Sequence, residues 1–231
     1  MTKQLFAVPL LALLLTGCGS GVFVKTVTRP VETGPVPRAE AVPTAPFTPN
    51  YRTNLRSGFS WAKTELTVYL DSSDATQKAS VMEGAKLWST YPGSTITFRE
   101  VSNPTEADIK VKFLPTSAFP EGNAGSTTVF PQYNSNDLVR AEMEIRDDVA
   151  GADLVTLSAH EFGHALGIDG HSPESPDCMN AYAPNPGRIT QPDANTLAFI
   201  YDTNSRARAA RSTRATGQVG TPVTYNCDHA H

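Results

Sequence analysis

The spacing of hydrophobic positions changes several times along the middle of the chain, and each change marks an element. Glu65-Leu66-Thr67-Val68-Tyr69-Leu70 alternates and is rich in β-formers, so it predicts a strand. Over 74–91 the period lengthens. Ala75, Ala79, Met82, Ala85, Leu87 and Trp88 recur at near-helical intervals and predict an amphipathic helix. Four further strands are predicted over 95–101, 108–114, 124–130 and 139–146. Leu154, Val155, Leu157, Ala165 and Leu166 then make one apolar face, predicting a half-buried helix over 153–166. Asp153 is its cap or first-turn acid, and Gly167 stands where it should stop. A last helix is predicted over 191–201. Residues 58–204 are long enough for one α+β domain with a sizeable core.

The flanks read differently. Residues 1–17 carry an early positive charge at Lys3 and a mostly apolar run from Leu5 to Leu15, too short to span a membrane comfortably, so they predict an export signal. The end of that run, Leu15-Thr16-Gly17-Cys18, resembles the bacterial lipobox. The resemblance implies cleavage before Cys18, a lipid on its thiol, and attachment to a membrane without spanning it. With Gly19 and Ser20 following, it implies the outer membrane if the organism has one. Residues 18–57 hold Pro30, Pro35, Pro37, Pro43, Pro46 and Pro49 and few large apolar residues, so they predict an extended tether. Fully extended it would reach on the order of 120 Å. Residues 205–231 carry Arg206, Arg208, Arg211 and Arg214 among small polar residues and predict a flexible basic tail. A net charge of −4 argues against a nucleic-acid partner.

The predicted helix ending at Gly167 carries the chemistry. His160 and His164 are four apart and so share one helical face. Two imidazoles placed that way can reach one metal ion, and Glu161 beside them can reach a metal-bound water. A chain turning at Gly167 can bring His171 back to the same ion. Three protein nitrogens and one open position make a catalytic zinc site.

At this point His160-Glu161-Phe162-Gly163-His164-Ala165-Leu166-Gly167-Ile168-Asp169-Gly170-His171-Ser172, with Asp177-Cys178-Met179-Asn180 beyond it, resembles the metzincin metallopeptidases, and most closely their matrixin branch. The resemblance implies a domain with a five-stranded mixed sheet, an active-site helix, a methionine turn and a C-terminal helix. It implies one catalytic zinc on His160, His164 and His171, Glu161 as general base, and Met179 beneath the metal. It also implies a protein or peptide substrate laid as an extra strand along 124–129, with Gly122 and Gly125 easing backbone approach. The family pattern has two residues between the glycine and the third histidine, and here there are three: Ile168, Asp169 and Gly170. Gly170 is read as the inserted residue, and Asp169 is the alternative third ligand. Tyr182 is a candidate hydrogen-bond donor to the transition state, and 180–188 is the candidate wall of the specificity pocket. No histidine precedes His160, so the second, structural zinc of animal matrixins is not expected.

Cys178 and Cys227 are read as a disulfide pair outside the cytoplasm. The alternatives are two free thiols, or Cys227 acting with His229 and His231 as a metal-binding or self-inhibiting tail. Calcium needs only oxygen ligands, and Asp147, Asp148 and Asn123 are candidates with solvated loop acids as the simpler reading. These readings add up to a zinc endopeptidase at the bacterial envelope. The alternatives are a non-catalytic envelope-binding lipoprotein, or a zinc amidase acting on peptidoglycan peptides.

Overall fold

The computed structural model describes residues 58–174, 176–181, 188–210 and 219–228. Among them, no helix is long and apolar enough to cross a membrane. The strands are β1 (Ser60–Trp61), β2 (Glu65–Asp71), β3 (Thr97–Glu100), β4 (Ile109–Leu114), β5 (Asn123–Pro131), β6 (Asp137–Arg146) and β7 (Val223–Asp228). The helices are α1 (Ala75–Thr90), α2 (Gly151–Ala165) and α3 (Gln191–Ala210). The fold is α+β.

The five predicted strands are all present, but the described residues form a seven-stranded sheet in the order β3-β2-β4-β6-β5-β7, with β1 paired to the start of β6. It is mixed. β2 pairs parallel with β3 and β4, and β4 pairs parallel with β6. β5 pairs antiparallel with both β6 and β7. Parallel strands have both faces covered, which is why Leu66, Thr67, Val68 and Leu70 of β2 are all buried. β6 alternates instead, burying Leu138, Ala141, Met143 and Ile145.

The end of the chain departs from the expected tail. α3 continues to Ala210, past Arg206 and Arg208, and Val223–Asp228 returns as a strand. Its signal was a two-residue period, with Tyr225 and Cys227 buried and Thr224 and Asn226 exposed. The neighbouring run of arginines and small residues masked that alternation.

Asp74 caps α1, its carboxylate accepting from the amides of Thr76 (2.8 Å) and Gln77 (3.2 Å). The buried face of α1 is Val81, Gly84, Ala85 and Trp88, whereas Ala75 and Ala79 are exposed. Alanine is a good helix former with little to bury, so its spacing misplaced the face. α1 lies directly on α2. A Cβ at Gly84 would come within 2.8 Å of the Ala159 nitrogen, the Val155 carbonyl oxygen and the Ser158 Cβ.

Both tryptophans of the chain clamp α2. The Trp88 indole donates to the Ala159 carbonyl (2.8 Å) and the Trp61 indole to the Ala165 carbonyl (2.9 Å). Phe162, fully buried on α2, meets Phe98 of β3 edge-on with centroids 5.1 Å apart. The helix that carries the chemistry is thus held at its middle, at its C-terminal end and from the sheet. Gly84→Leu should force α1 off α2 and cost about 1–3 kcal/mol or more. A denaturant titration should show a lower midpoint with the slope unchanged.

Candidate metal centre

The site begins with the end of α2. Gly167 has φ +108°, and a Cβ there would run into the Phe59 carbonyl. The Gly167 amide donates to the His164 carbonyl (2.8 Å) and the Ile168 amide to the Gly163 carbonyl (3.1 Å), the paired bonds of a Schellman ending. The two next carbonyls are also met, that of Ala165 by the Trp61 indole and that of Leu166 by the Tyr201 hydroxyl (3.2 Å). Every carbonyl from Gly163 to Leu166 is therefore accounted for. Asp153 lies in the first turn of α2, while the capping position is Ala150, with no side-chain cap.

Beyond Gly167 the chain doubles back through Gly170, whose φ is +77°. The extra residue relative to the family spacing is thus taken up where glycine tolerates the backbone best. His171 arrives beside the two helical histidines. Its Nε2 lies 3.2 Å from that of His164, and its ring stacks on His160 with centroids 5.2 Å apart. Asp169, the alternative third ligand, is not part of this cluster.

The inner ends of two rings are fixed. His160 Nδ1 is 2.8 Å from the Cys178 carbonyl, and His164 Nδ1 is 2.9 Å from the Ile168 carbonyl. A carbonyl only accepts, so each Nδ1 carries the hydrogen, and in the neutral form of each ring the lone pair is then on Nε2. Such carbonyl partners are what orient histidine ligands in metal sites. Glu161, between the two histidines in sequence, is fully buried. Its Oε2 accepts from the Thr127 hydroxyl of β5 at 2.5 Å. Burial pushes its carboxyl up to about 7, against the opposing pull of the Thr127 hydroxyl and the Cys227 thiol. A Cβ at Gly125 would come within 2.6 Å of Glu161 Oε1, so only glycine lets β5 pass this close to the carboxylate.

A fourth residue joins the three histidines. The donor atoms of His160, His164, His171 and Cys227 all lie within 4.8 Å of one another. Cys227 Sγ is 3.5 Å from His171 Nε2. This corrects the disulfide expectation, because Cys178 and Cys227 are both buried and are not bonded to each other. The Cys178 thiol is driven well above its usual pKa by burial and by the nearby Asp193 and Asp177 carboxylates. Cys227, carried on β7, sits with the histidines instead.

The donor set fits zinc. Ligand nitrogens about 2.0–2.1 Å from a tetrahedral ion lie about 3.3–3.4 Å apart, and a thiolate about 2.3 Å from it lies about 3.5–3.6 Å from each nitrogen. The observed 3.2 Å and 3.5 Å are close to both.

Met179 packs against α2. It is fully buried, and a Cβ on Gly163 would overlap its sulfur. One carboxylate that sequence reasoning missed shapes this turn. Asp193, fully buried in the first turn of α3, accepts from the amides of Cys178 (2.8 Å), Met179 (3.3 Å) and Thr190 (3.0 Å). The Thr190 hydroxyl donates to Asp177 (2.8 Å) or to Asp193 (2.7 Å), and Ser172 donates to Asp177 (2.5 Å). The signal was present: Thr190-Gln191-Pro192-Asp193 has the form of a capping box with proline in the first turn. It gave the start of α3 but not the second use of the same carboxylate.

The remaining candidates fall elsewhere. Asp148 is engaged with Arg146, both of its oxygens within 2.8 Å of the guanidinium, and Arg146 also reaches the Asn123 carbonyl (3.5 Å). That guanidinium holds the Asp148 carboxyl below its usual value, so the suggested calcium ligands are built around a cation. Cys18, Tyr182, His229, His231 and most of 180–188 lie outside the described residues.

The matrixin family profile matches residues 60–202, and the chain belongs to that family. It is 33% identical over 141 residues to karilysin of Tannerella forsythia, covering 54% of this chain and 29% of that protein. It is 27% identical over 184 residues to matrix metalloproteinase-25 of Mus musculus, covering 68% of this chain and 29% of that one. The chain thus spans under a third of the length of these curated relatives. Among solved structures, myroilysin is 24% identical with a TM-score of 0.35, over 53% of this chain and 48% of that one.

Asp193→Ala leaves three backbone amides without their acceptor, two of them at the methionine turn. It should destabilise the domain by about 3 kcal/mol or more. Asp193→Asn, which keeps one acceptor oxygen, should lose less. Urea unfolding of the two variants beside the parent checks the order.

Proposed function

We propose that this chain is a zinc-dependent endopeptidase of the bacterial cell envelope, hydrolysing peptide bonds of proteins or peptides. The observation that carries the reading is the convergence of His160, His164 and His171 beside a buried, oriented Glu161. Membership of the matrixin family supports it.

Zinc, when bound there, supplies a Lewis acid and lowers the pKa of water toward about 7. His160, His164 and His171 are its holders. The first two are locked in the required tautomer by the Cys178 and Ile168 carbonyls. Glu161 is the general base. Thr127 holds one carboxylate oxygen, which orients the other. In this role Glu161 accepts a proton from the attacking water and returns it to the leaving nitrogen as the C–N bond breaks. Met179 takes no chemical step and supports the floor. Tyr182 is the proposed donor to the developing oxyanion. An extended peptide would pair along β5, on the side now covered by β7.

Location is part of the same proposal. The lipobox-like Leu15-Thr16-Gly17-Cys18 supports lipid attachment at Cys18, with 18–57 as the tether.

Two measurements test these claims. Glu161→Gln should keep about one zinc per chain by atomic absorption and lose peptide hydrolysis by about 10²-fold or more; full turnover would remove the general-base role. Cys18→Ala should move the protein from the membrane fraction to the soluble one. Persistence of the variant in the membrane would count against the lipid anchor.

A further inference from the structure

β7 occupies a particular place. It is the outermost strand beside the histidine cluster and pairs antiparallel with β5. The register sets Cys227 opposite Gly125 and Tyr225 opposite Thr127. Those two β5 residues are the ones that touch Glu161, Gly125 by close backbone approach and Thr127 by its hydroxyl. Side chains alternate along a strand, so Tyr225 and Cys227 face the same way. Tyr225 stacks on the His164 ring, with centroids 4.6 Å apart and planes 12° apart. Cys227 places its sulfur 3.5 Å from His171 Nε2. The strand therefore covers the edge against which an extended peptide would pair, and it fills the fourth corner of the donor set.

Resting on the zinc reading above, we propose that Cys227 is the fourth protein ligand of the metal and that β7 is an internal occupant of the substrate edge. The chain then folds into a closed form of the site. On coordination the Cys227 S–H bond gives way to a sulfur–zinc bond and the proton leaves to solvent. A site with four protein ligands has no position left for water, which is the arrangement of a structural rather than a catalytic zinc. The backbone ladder of β7 on β5 adds a second block, because the same β5 groups cannot also pair with a substrate. Both blocks are intramolecular, so a substrate must compete against a ligand held at high effective concentration. Lifting β7 from β5 opens the edge and the fourth position together.

This occupant differs from a blocking segment that precedes the domain. It follows α3 in the chain, and it enters as a seventh strand of the sheet rather than as a loop across the site.

The test is spectroscopic first. Full-length protein is loaded with zinc for X-ray absorption and with cobalt for optical absorption. The wild type should show one sulfur among the zinc neighbours and a thiolate-to-cobalt charge-transfer band. Cys227→Ser and Cys227→Ala should keep about one metal per chain and lose both signals, while Cys178→Ala should keep both. Turnover of an unstructured protein substrate should then rise at least about tenfold in the Cys227 variants. It should rise further when Tyr225→Ala is added to loosen the strand. Zinc bound by the wild type with only nitrogen and oxygen neighbours would overturn the proposal while leaving the peptidase reading intact. So would equal turnover with and without Cys227. Failure of the wild type and the Cys227 variants alike to take up zinc would overturn the peptidase reading, and this one with it.

Discussion

The left-handed backbone of Gly167 ends α2, and the geometry of the histidine cluster depends on that ending. A helix continuing past His164 would carry His171 away along its axis at about 1.5 Å per residue. Instead the Schellman bonds reverse the chain, and Gly170 provides a second positive-φ residue before His171. The turn is not left exposed. Trp61 and Tyr201, from opposite ends of the domain sequence, donate to the last carbonyls of the helix. The Phe59 amide donates to the Gly167 carbonyl at 3.2 Å. Packing and hydrogen bonding together make the reversal a rigid feature.

Around that turn, backbone groups do much of the orienting. The carbonyls of Cys178 and Ile168 set the tautomers of His160 and His164. The Cys178 carbonyl is itself placed by Asp193, which holds the Cys178 and Met179 amides. One buried carboxylate in the first turn of α3 is therefore connected, through the peptide group joining Cys178 to Met179, to the ring of a histidine on α2. Desolvation raises its pKa and the surrounding donors oppose that rise. Burying such a group is tolerable because its oxygens meet so many donors. Asp177, with Ser172 and Thr190 on its two oxygens, extends the same network to the segment that carries His171.

The sheet supplies the other half of the site. β5 passes close enough to α2 for Gly125 and Thr127 to touch Glu161, and β7 lies along its outer side. A strand in that position protects an otherwise open edge. It also brings a thiol to three imidazoles, which is why the two buried cysteines stay apart rather than bonding to each other.

Much of this was legible in the chain. The period changes located five strands and three helices, and His160-Glu161-Phe162-Gly163-His164 with Gly167 predicted a helix, its ligand pair and its end, because these are local properties of a few consecutive residues. The Asp193 capping box was equally local, but its reach to Cys178 and Met179 was not. Gly84 looked like an ordinary glycine until α2 was seen against it, and Gly125, read as easing the approach of a substrate backbone, also makes room for Glu161. The C-terminal residues were read as a tail because arginines dominated the composition, and pairing with β5 overrode it. What the sequence by itself determined is the set of elements and the presence of a metal-binding histidine pattern. Only the tertiary structure decided that His171 rather than Asp169 completes the histidine cluster, and that Cys227, 56 residues further along the chain, joins it. Contacts between residues so far apart are set by sheet register and helix packing, and no local pattern encodes either.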